Sequence, residues 1–396
     1  MTRLKAYHLS HCFSHRRKHR LKDQSDLYDD LWRETDDRAD NKQRPRAPKY
    51  MEGSQLPWDI QSIAMQQRQD AEERMVRRAE QIRNERQRQA TYQDHQSNSS
   101  THWRQRSRLT GYDVVKDLRV GGLSESVQVV REQRSQKLRI IKCVSTHARP
   151  KAELEILKRI PKGHNLNYMV EFAWRPNGTE IAFVLEHCDG GDLYSLLADH
   201  AKAQRLFSEG FLWHVLQDVG SALAFLHGGI TDPLRQVRSC RSWDTICHLD
   251  IKPENIFLSS HGSRDSRFPH LVLGDFGCAV TRHDVHSGRE HMTRHRHGTP
   301  EWYPPESVEA LVGSSNSAYG RPTDVWQLGA VVVCLAQLWE VPIKEMVMRE
   351  AERPCGRSFG KEVNRVVDLC VRLDRHRRPS AQKIVRAAAA RSSSGL

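Results

Sequence analysis

The sequence predicts an α+β fold of two lobes, a small β-rich lobe followed by a larger α-helical lobe, behind an N-terminal extension that is disordered or helical. The composition changes near Leu109, where a polar, arginine-rich segment gives way to regular apolar patterns. Short runs of β-branched residues come first after that point, and longer runs with helical spacing of apolar residues follow. A β-rich part followed by a helix-rich part indicates two lobes with a cleft between them.

Length and composition bound the class of protein. At 396 residues the chain exceeds a typical single domain, so we expect one large two-lobed domain with an appendage, or two domains. The nine cysteines are scattered and never form C-x-x-C, which disfavours a disulfide framework or zinc knuckle and indicates a reducing compartment. No apolar run approaches the ~18 residues of a membrane helix, and the N-terminus lacks a secretory apolar region. We therefore expect a cytoplasmic or nuclear protein, or one found in both, that has no membrane partner.

The first 108 residues carry 23 Lys and Arg against 16 Asp and Glu and have few aliphatic side chains. Residues 1–57 are predicted to be a disordered basic tail, in which His15–Arg20 is either a nuclear-import or nucleic-acid patch or simply solvated. Residues 58–93 contain strong helix formers without Gly or Pro and predict an isolated helix, and residues 94–108 predict a linker. Nucleic-acid binding by this segment is not favoured, because aromatic residues that could stack on bases are scarce.

The first lobe is predicted over residues 109–188. Ser126–Val130 and Leu138–Val144 are β-branched runs around a polar turn and predict a hairpin. A helix is expected next, in KAELEILKRI, and then a buried strand over Ile181–Cys188.

The second lobe is predicted over residues 189–390, followed by a disordered tail over 391–396. Ser208 is suited to cap a long helix whose apolar residues share one face. Farther along, the short strands TICHL and HLVLG flank the polar stretch His248–Leu258, HLDIKPENIFL.

That polar stretch is the first of several motifs that stand in order along the chain. The others are LGDFG, GTPEWYPPE, TDVWQLG and RHRRPS. Together they resemble the eukaryotic serine/threonine protein kinase family over roughly Tyr112 to Ala390, and HLDIKPENIF and GTPEWYPPE are similar to NIMA-related and some fungal kinases. The resemblance implies a bilobal protein-kinase-like fold, ATP and Mg²⁺ as cofactors, and protein substrates.

The resemblance also implies the catalytic groups. Asp250 matches the aspartate that orients the acceptor hydroxyl and takes its proton, and Lys252 matches a lysine that touches the γ-phosphate in the serine/threonine branch. Asn255 and Asp275 match the Mg²⁺ ligands, whose oxygen donors suit a hard cation. Thr299 is expected to contact Asp250 and Lys252 directly.

A second set of residues matches the nucleotide site. Lys142 corresponds to the lysine that binds the α- and β-phosphates, and Glu153 to its partner, with Glu155 as the alternative. Asp192 is expected to hold the ribose or a basic substrate residue. The resemblance places Leu185 at the gatekeeper position. It places Glu186 and Cys188 on the hinge that binds adenine.

The glycine-rich loop departs from the family pattern. Aligned without gaps from Lys142 and Val127, the loop is VGGLSESV, in which only Gly122 matches a family glycine and Val120 and Glu125 replace the others. Glycines let the backbone approach phosphates closely, so this departure raises the alternative of a pseudokinase scaffold that binds partners without catalysis.

Two further departures concern regulation. Leu249 stands where most of the family has an arginine that clamps a phosphorylated activation segment, so the chain is a non-RD variant. The segment Gly228–Ile246 is longer than the usual link into the catalytic loop and predicts a surface insertion, with docking as one role for it.

Overall fold

A computed structural model describes residues 109–118, 124–145, 150–174, 180–236, 238–261, 267–287, 298–305, 320–342 and 353–392. The predicted N-terminal tail, helix and linker (1–57, 58–93 and 94–108) lie outside these residues, as do positions 393–396 of the predicted C-terminal tail. The last helix continues to Ser392, past the predicted domain end at residue 390.

The first lobe is built on a five-stranded antiparallel sheet. Its strands lie in the order β1-β2-β3-β5-β4. They are β1 (Tyr112–Leu118), β2 (Ser124–Glu132), β3 (Leu138–Ser145), β4 (Met169–Trp174) and β5 (Glu180–Glu186). The predicted hairpin is confirmed as β2 and β3, and the predicted buried strand as β5. The sequence analysis did not predict β1 and β4, whose partly exposed faces lack a clean alternation of apolar residues.

One helix packs against this sheet. Helix α1 (Pro150–Leu157) confirms the prediction from KAELEILKRI. Its apolar residues Leu154, Ile156 and Leu157 are buried in the main hydrophobic core. The opposite face carries Glu155, which is exposed.

The second lobe consists mainly of helices. These are α2 (Leu193–Lys202), α3 (Glu209–Gly228), α4 (Arg282–His286), α5 (Arg321–Gln337), α6 (Lys361–Cys370) and α7 (Ala381–Ser392). Ser208 caps α3 as predicted, because its side chain accepts a hydrogen bond from the amide of Phe211. Nearly every residue of α3 from Phe211 onward is buried, so this helix is the centre of the lobe. Helix α7 packs along it.

Four short strands place the two central motifs side by side. They are β6 (Ile246–Cys247), β7 (Ile256–Ser259), β8 (His270–Leu273) and β9 (Val280–Thr281). Strand β6 pairs with β9 and β7 pairs with β8, all antiparallel. The HLDIKPEN loop therefore leaves β6 and enters β7, next to the DFG loop that joins β8 to β9.

The described residues contain no helix long and apolar enough to cross a membrane. The predicted insertion, from Gly228 to Ile246, is exposed at Leu234 and Cys240, but its end packs inward through Trp243.

Candidate active site

Two polar side chains of α5 form hydrogen bonds with the backbone of the catalytic loop. Asp324, which is fully buried, accepts hydrogen bonds from the amides of His248 (2.9 Å) and Leu249 (2.8 Å). Gln327, also fully buried, accepts from the amide of Ile251 (3.1 Å) and donates to the carbonyl of Leu249 (3.2 Å). The motif TDVWQLG by itself assigns these two residues no role. The signal that could reveal them is an acid and an amide at buried positions of a mostly apolar helix.

Asp250, Lys252 and Thr299 form one hydrogen-bonded group. The Thr299 hydroxyl donates to Asp250 Oδ1 at 2.8 Å, and Lys252 Nζ donates to the Thr299 hydroxyl at 2.6 Å. Lys252 Nζ also lies 3.3 Å from Asp250 Oδ2. The expected contact of Thr299 with both residues is confirmed. Gly298 is required before it, because φ is +91° there and an added Cβ would collide with the carbonyl oxygen of Leu249.

Asn255 closes the catalytic loop onto Asp250. Its Nδ2 donates to the backbone carbonyl of Asp250 (2.8 Å) and to Oδ2 of the same residue (3.1 Å). The amide nitrogen is thus committed to Asp250, and the amide oxygen is the atom of Asn255 that can act as a metal ligand.

Lys142 joins the two lobes. From the middle of β3, its Nζ lies 2.7 Å from Glu153 Oε1 on α1 and 2.7 Å from Asp275 Oδ1 of the DFG loop. Glu155 instead pairs with Lys158 on the exposed side of the chain (2.7 Å), so the structure favours Glu153 over the alternative partner.

The charges in this group compensate one another. Burial would lower the pKa of Lys142, but Asp275 and Glu153 raise it above its usual value. Burial would raise the pKa of Asp275, yet the Lys142 ammonium lowers it to about 2. Burial raises the pKa of Glu153 despite Lys142, in keeping with its buried Oε2, which has no hydrogen-bond partner among the described residues. Lys142 and Asp275 are therefore charged at neutral pH.

The DFG loop points its phenylalanine inward and its aspartate into the cleft. Phe276 is buried and meets the ring of His248 edge-on, with ring centroids 5.2 Å apart. His248 Nε2 lies 3.0 Å from the carbonyl oxygen of Gly274. Asp275 adopts a left-handed backbone conformation (φ 62°), which is uncommon for a residue other than glycine and typical of functional turns.

The expected gatekeeper and hinge residues lie at the end of β5 and just beyond it. Leu185, the expected gatekeeper, is buried opposite Ile140 of β3. The carbonyl of Glu186 accepts a hydrogen bond from Asn167 Nδ2 (3.1 Å), which fixes the start of the hinge. Burial raises the pKa of the Cys188 thiol to about 12, so this thiol is neutral at pH 7.

Asp192 has a structural task. Its Oδ1 accepts a hydrogen bond from the amide of Ser195 at 2.7 Å and caps helix α2. One carboxylate oxygen is therefore committed to the helix, and a role in binding ribose or a basic residue would fall to the other.

The glycine-rich loop is described only at its C-terminal side. Val120 and Gly122 lie outside the described residues, as does the side chain of Glu125. Val127 lies on β2, directly opposite Lys142 of β3. The pairing of β2 with β3 shifts register between Ser124 and Ser126, next to Glu125, so the ungapped alignment of the loop stays a prediction.

The activation segment begins against an apolar cluster. Leu249 is buried with Cys247 and Val280, and Val285 packs on them. An arginine clamp for a phosphate is thus replaced by apolar packing, as the sequence predicts. Thr281 is buried and caps α4 through the amide of Asp284 (3.0 Å). Residues 288–297 of this segment, which include several arginines and histidines, lie outside the described residues.

The fold and this site define a protein kinase domain. The chain belongs to this family, since the model of the "Protein kinase domain" matches residues 112–388.

Its relatives include serine/threonine kinases of the predicted kind. Nek2 of Homo sapiens, a serine/threonine-protein kinase, is 24% identical over 294 residues, covering 70% of this chain and 59% of that protein. The serine/threonine-protein kinase ULK3 of Xenopus laevis is 30% identical over 232 residues, covering 57% of this chain and 42% of its own. The G2-specific protein kinase nimA of Emericella nidulans is 26% identical over 227 residues, covering 52% and 30%. The chain thus spans about half the length of the curated relatives it matches, and the expected similarity to NIMA-related kinases is confirmed.

Proposed function

We propose that the chain is a serine/threonine protein kinase that transfers the γ-phosphoryl group of ATP to hydroxyls of protein substrates. One observation carries the proposal: Lys142 Nζ contacts Glu153 and Asp275 at 2.7 Å each, so the nucleotide-binding and metal-binding groups are assembled across the two lobes. This arrangement is the one that phosphoryl transfer by protein kinases requires.

Asp250, Lys252 and Thr299 have different roles on the side of the site that receives the acceptor hydroxyl. Asp250 is placed to orient a serine or threonine hydroxyl and to accept its proton as the oxygen attacks the γ-phosphorus and ADP leaves. Lys252 is placed to neutralise charge on the transferred phosphoryl group. Thr299, which bridges Asp250 and Lys252, fixes both side chains.

The donor set for a metal fits Mg²⁺ bound together with a nucleotide. The described residues contain no cluster of three or more His, Cys, Asp and Glu side chains that could hold a metal alone. Asp275 and the amide oxygen of Asn255 would supply two oxygen ligands, and Mg²⁺ in kinases is commonly held by one or two protein ligands plus phosphates. When bound, Mg²⁺ neutralises phosphate charge. Asp275 is suited to hold it because its lowered pKa keeps the carboxylate ionised.

The pseudokinase alternative is not favoured. It rests on the replaced glycines at Val120 and Glu125. The six charged and amide groups expected for catalysis are nevertheless present, and they contact one another in the described residues: Lys142, Glu153, Asp250, Lys252, Asn255 and Asp275.

A cytoplasmic or nuclear location belongs to the same proposal, supported by the absence of disulfides among the eight described cysteines.

The test is a transfer assay with identification of the labelled amino acid. Purified protein is incubated with γ-labelled ATP, Mg²⁺ and generic acceptor proteins, beside an Asp275→Ala variant. The proposal predicts label on serine and threonine that depends on Mg²⁺ and is absent in the variant. Equal, background-level labelling of both proteins would support the scaffold instead, and label on tyrosine would contradict the assigned specificity.

A further inference from the structure

The end of the insertion between α3 and β6 is tightly fixed. The Trp243 ring meets Phe225 of α3 edge-on, with centroids 4.9 Å apart, and its Nε1 donates to the carbonyl of Leu226 at 2.8 Å. The guanidinium of Arg159 lies over the same indole ring, 4.6 Å from its centroid. This part of the insertion is therefore packed against α3 and Arg159 rather than extended into solvent.

Asp244, the next residue, connects three parts of the chain. Its Oδ2 accepts from Arg159 Nη1 at 3.3 Å, and its backbone carbonyl accepts from Arg159 Nη2. Its Oδ1 accepts from the amide of His283 at 2.9 Å, in helix α4 at the start of the activation segment. The neighbouring carbonyl of Thr245 accepts from the amide of Arg282 at 2.8 Å. One carboxylate thus binds the activation segment with one oxygen and Arg159 with the other.

Arg159 carries this connection to the nucleotide site. It lies in the turn that continues α1, where its own amide donates to the carbonyl of Ile156. Helix α1 also carries Glu153, the partner of Lys142. A shift of the turn at Arg159 would therefore move the helix that presents Glu153 to Lys142.

The Asp244 carboxylate can hold the activation segment in place, which Leu249 cannot do. Leu249 is buried in apolar contacts and makes no charge-assisted bond to a phosphate on the activation segment. The start of the activation segment is instead held by the Asp244 carboxylate, which accepts from the backbone amide of His283. This contact needs no phosphorylation. Its partner Arg159 lies in the turn after α1, so Asp244 also connects the activation segment to the first lobe.

We propose that Asp244 and Arg159 form a positioning pair that holds helix α1 and the start of the activation segment in the arrangement where Lys142, Glu153 and Asp275 meet, without phosphorylation of the segment. The inference rests on the proposed kinase function and specifies how its site is kept assembled. Neither residue touches substrate, so both act through Glu153 and α4.

The experiment compares Asp244→Asn, Asp244→Ala and Arg159→Gln with the wild type after phosphatase treatment. Asp232→Asn is the matched control, because Asp232 lies in the same insertion and its carboxylate contacts close neighbours there. It accepts from the amides of Leu234 (3.1 Å) and Arg235 (3.2 Å), and it lies 3.7 Å from Arg235 Nε. The readouts are kcat and KM for ATP, Tm, and hydrogen exchange of the His283 amide by NMR.

We expect phosphatase-treated wild type to stay active. Asp244→Asn and Arg159→Gln should each lower kcat about tenfold, the scale on which substitutions between coupled sites shift an equilibrium. The Asp244→Asn variant keeps the fold, so its Tm should fall by no more than about 3 °C. In Asp244→Ala the His283 amide should exchange faster, because its acceptor is gone. Asp232→Asn should match the wild type in all readouts.

The outcomes separate this inference from the function on which it rests. An active wild type with unchanged kcat in Asp244→Asn and Arg159→Gln would overturn the positioning role and leave the kinase proposal standing. If the wild type itself transfers no phosphate, the kinase proposal fails, and exchange at His283 still decides whether Asp244 anchors the segment. Unchanged exchange of the His283 amide in Asp244→Ala would refute the anchor. If the alanine variant does not fold, Asp244→Gly takes its place, because glycine also lacks the acceptor.

Discussion

Replacing Asp324 by alanine is expected to be among the most damaging single changes in the second lobe. The carboxylate is fully buried and accepts from the amides of His248 (2.9 Å) and Leu249 (2.8 Å), and it pairs with His227 Nε2 at 2.8 Å. Alanine leaves these three buried polar groups without their partner. Each such group costs about 1 to 3 kcal/mol, and water entering the space would recover part of that cost. We therefore expect a loss of about 4 kcal/mol, a large fraction of the roughly 5 to 15 kcal/mol that stabilises a typical domain.

Thermal unfolding measures this loss. For a domain of this size about 4 kcal/mol corresponds to a fall in Tm of roughly 8 to 16 °C. The control is Asp368→Ala on helix α6, where the carboxylate pairs with Arg372 at 3.2 Å and both side chains are partly exposed. Such a pair contributes about 0 to 1 kcal/mol. Transfer activity, measured well below the Tm of the variant, should also fall, since the same two amides hold the loop that carries Asp250. A change in Tm no larger than that of Asp368→Ala would show that the three buried groups do not depend on the Asp324 carboxylate.

Three further predictions concern the cleft and the surface. Glu125→Gly should lower the KM for ATP several-fold, because a carboxylate in the glycine-rich loop repels the phosphates, and an ATP titration that shows no decrease would contradict it. Ser287→Ala and phosphatase treatment should each leave activity unchanged, because Leu249 offers no clamp for a phosphate; loss of activity in both would make phosphorylation the switch. Cys240 should react first with iodoacetamide among the described cysteines, because it is exposed and a hydrogen bond with Ser242 lowers its pKa; peptide mass spectrometry that finds a buried cysteine labelled first would contradict this.

The residues that could be predicted are those whose chemistry is tied to local spacing. Asp250, Lys252 and Asn255 lie within one loop, so HLDIKPEN specifies them together. Lys142 and Glu153 lie on a strand and the next helix, and their contact across 11 positions follows from that order. In these cases the motif and the three-dimensional arrangement carry the same information.

What could not be predicted depends on contacts between distant parts of the chain. The tie between Arg159 and Asp244 joins residues 85 positions apart, and no pattern near either residue indicates it. Asp324 binds amides 75 and 76 positions away, so its role depends on where α5 packs.

The capping role of Asp192 is a local contact that the sequence analysis left out, since Oδ1 accepts from the amide of Ser195 three positions away. Binding of ribose or a basic residue by the other carboxylate oxygen stays a prediction.

The most direct test of phosphoryl transfer by this site is a single-turnover measurement with Asp250→Asn. Asp250 faces the acceptor side, where Thr299 and Lys252 contact it, whereas Lys142 and Asp275 form the nucleotide side. Wild type and variant are saturated with Mg²⁺ and γ-labelled ATP, mixed with acceptor protein, and quenched over time, with ATP affinity measured in parallel. We expect Asp250→Asn to bind ATP like the wild type but to transfer phosphate at least about 100-fold more slowly, the loss expected when a general base is removed. Equal transfer rates in the two proteins would contradict the assignment of Asp250 and, with it, the proposed mechanism.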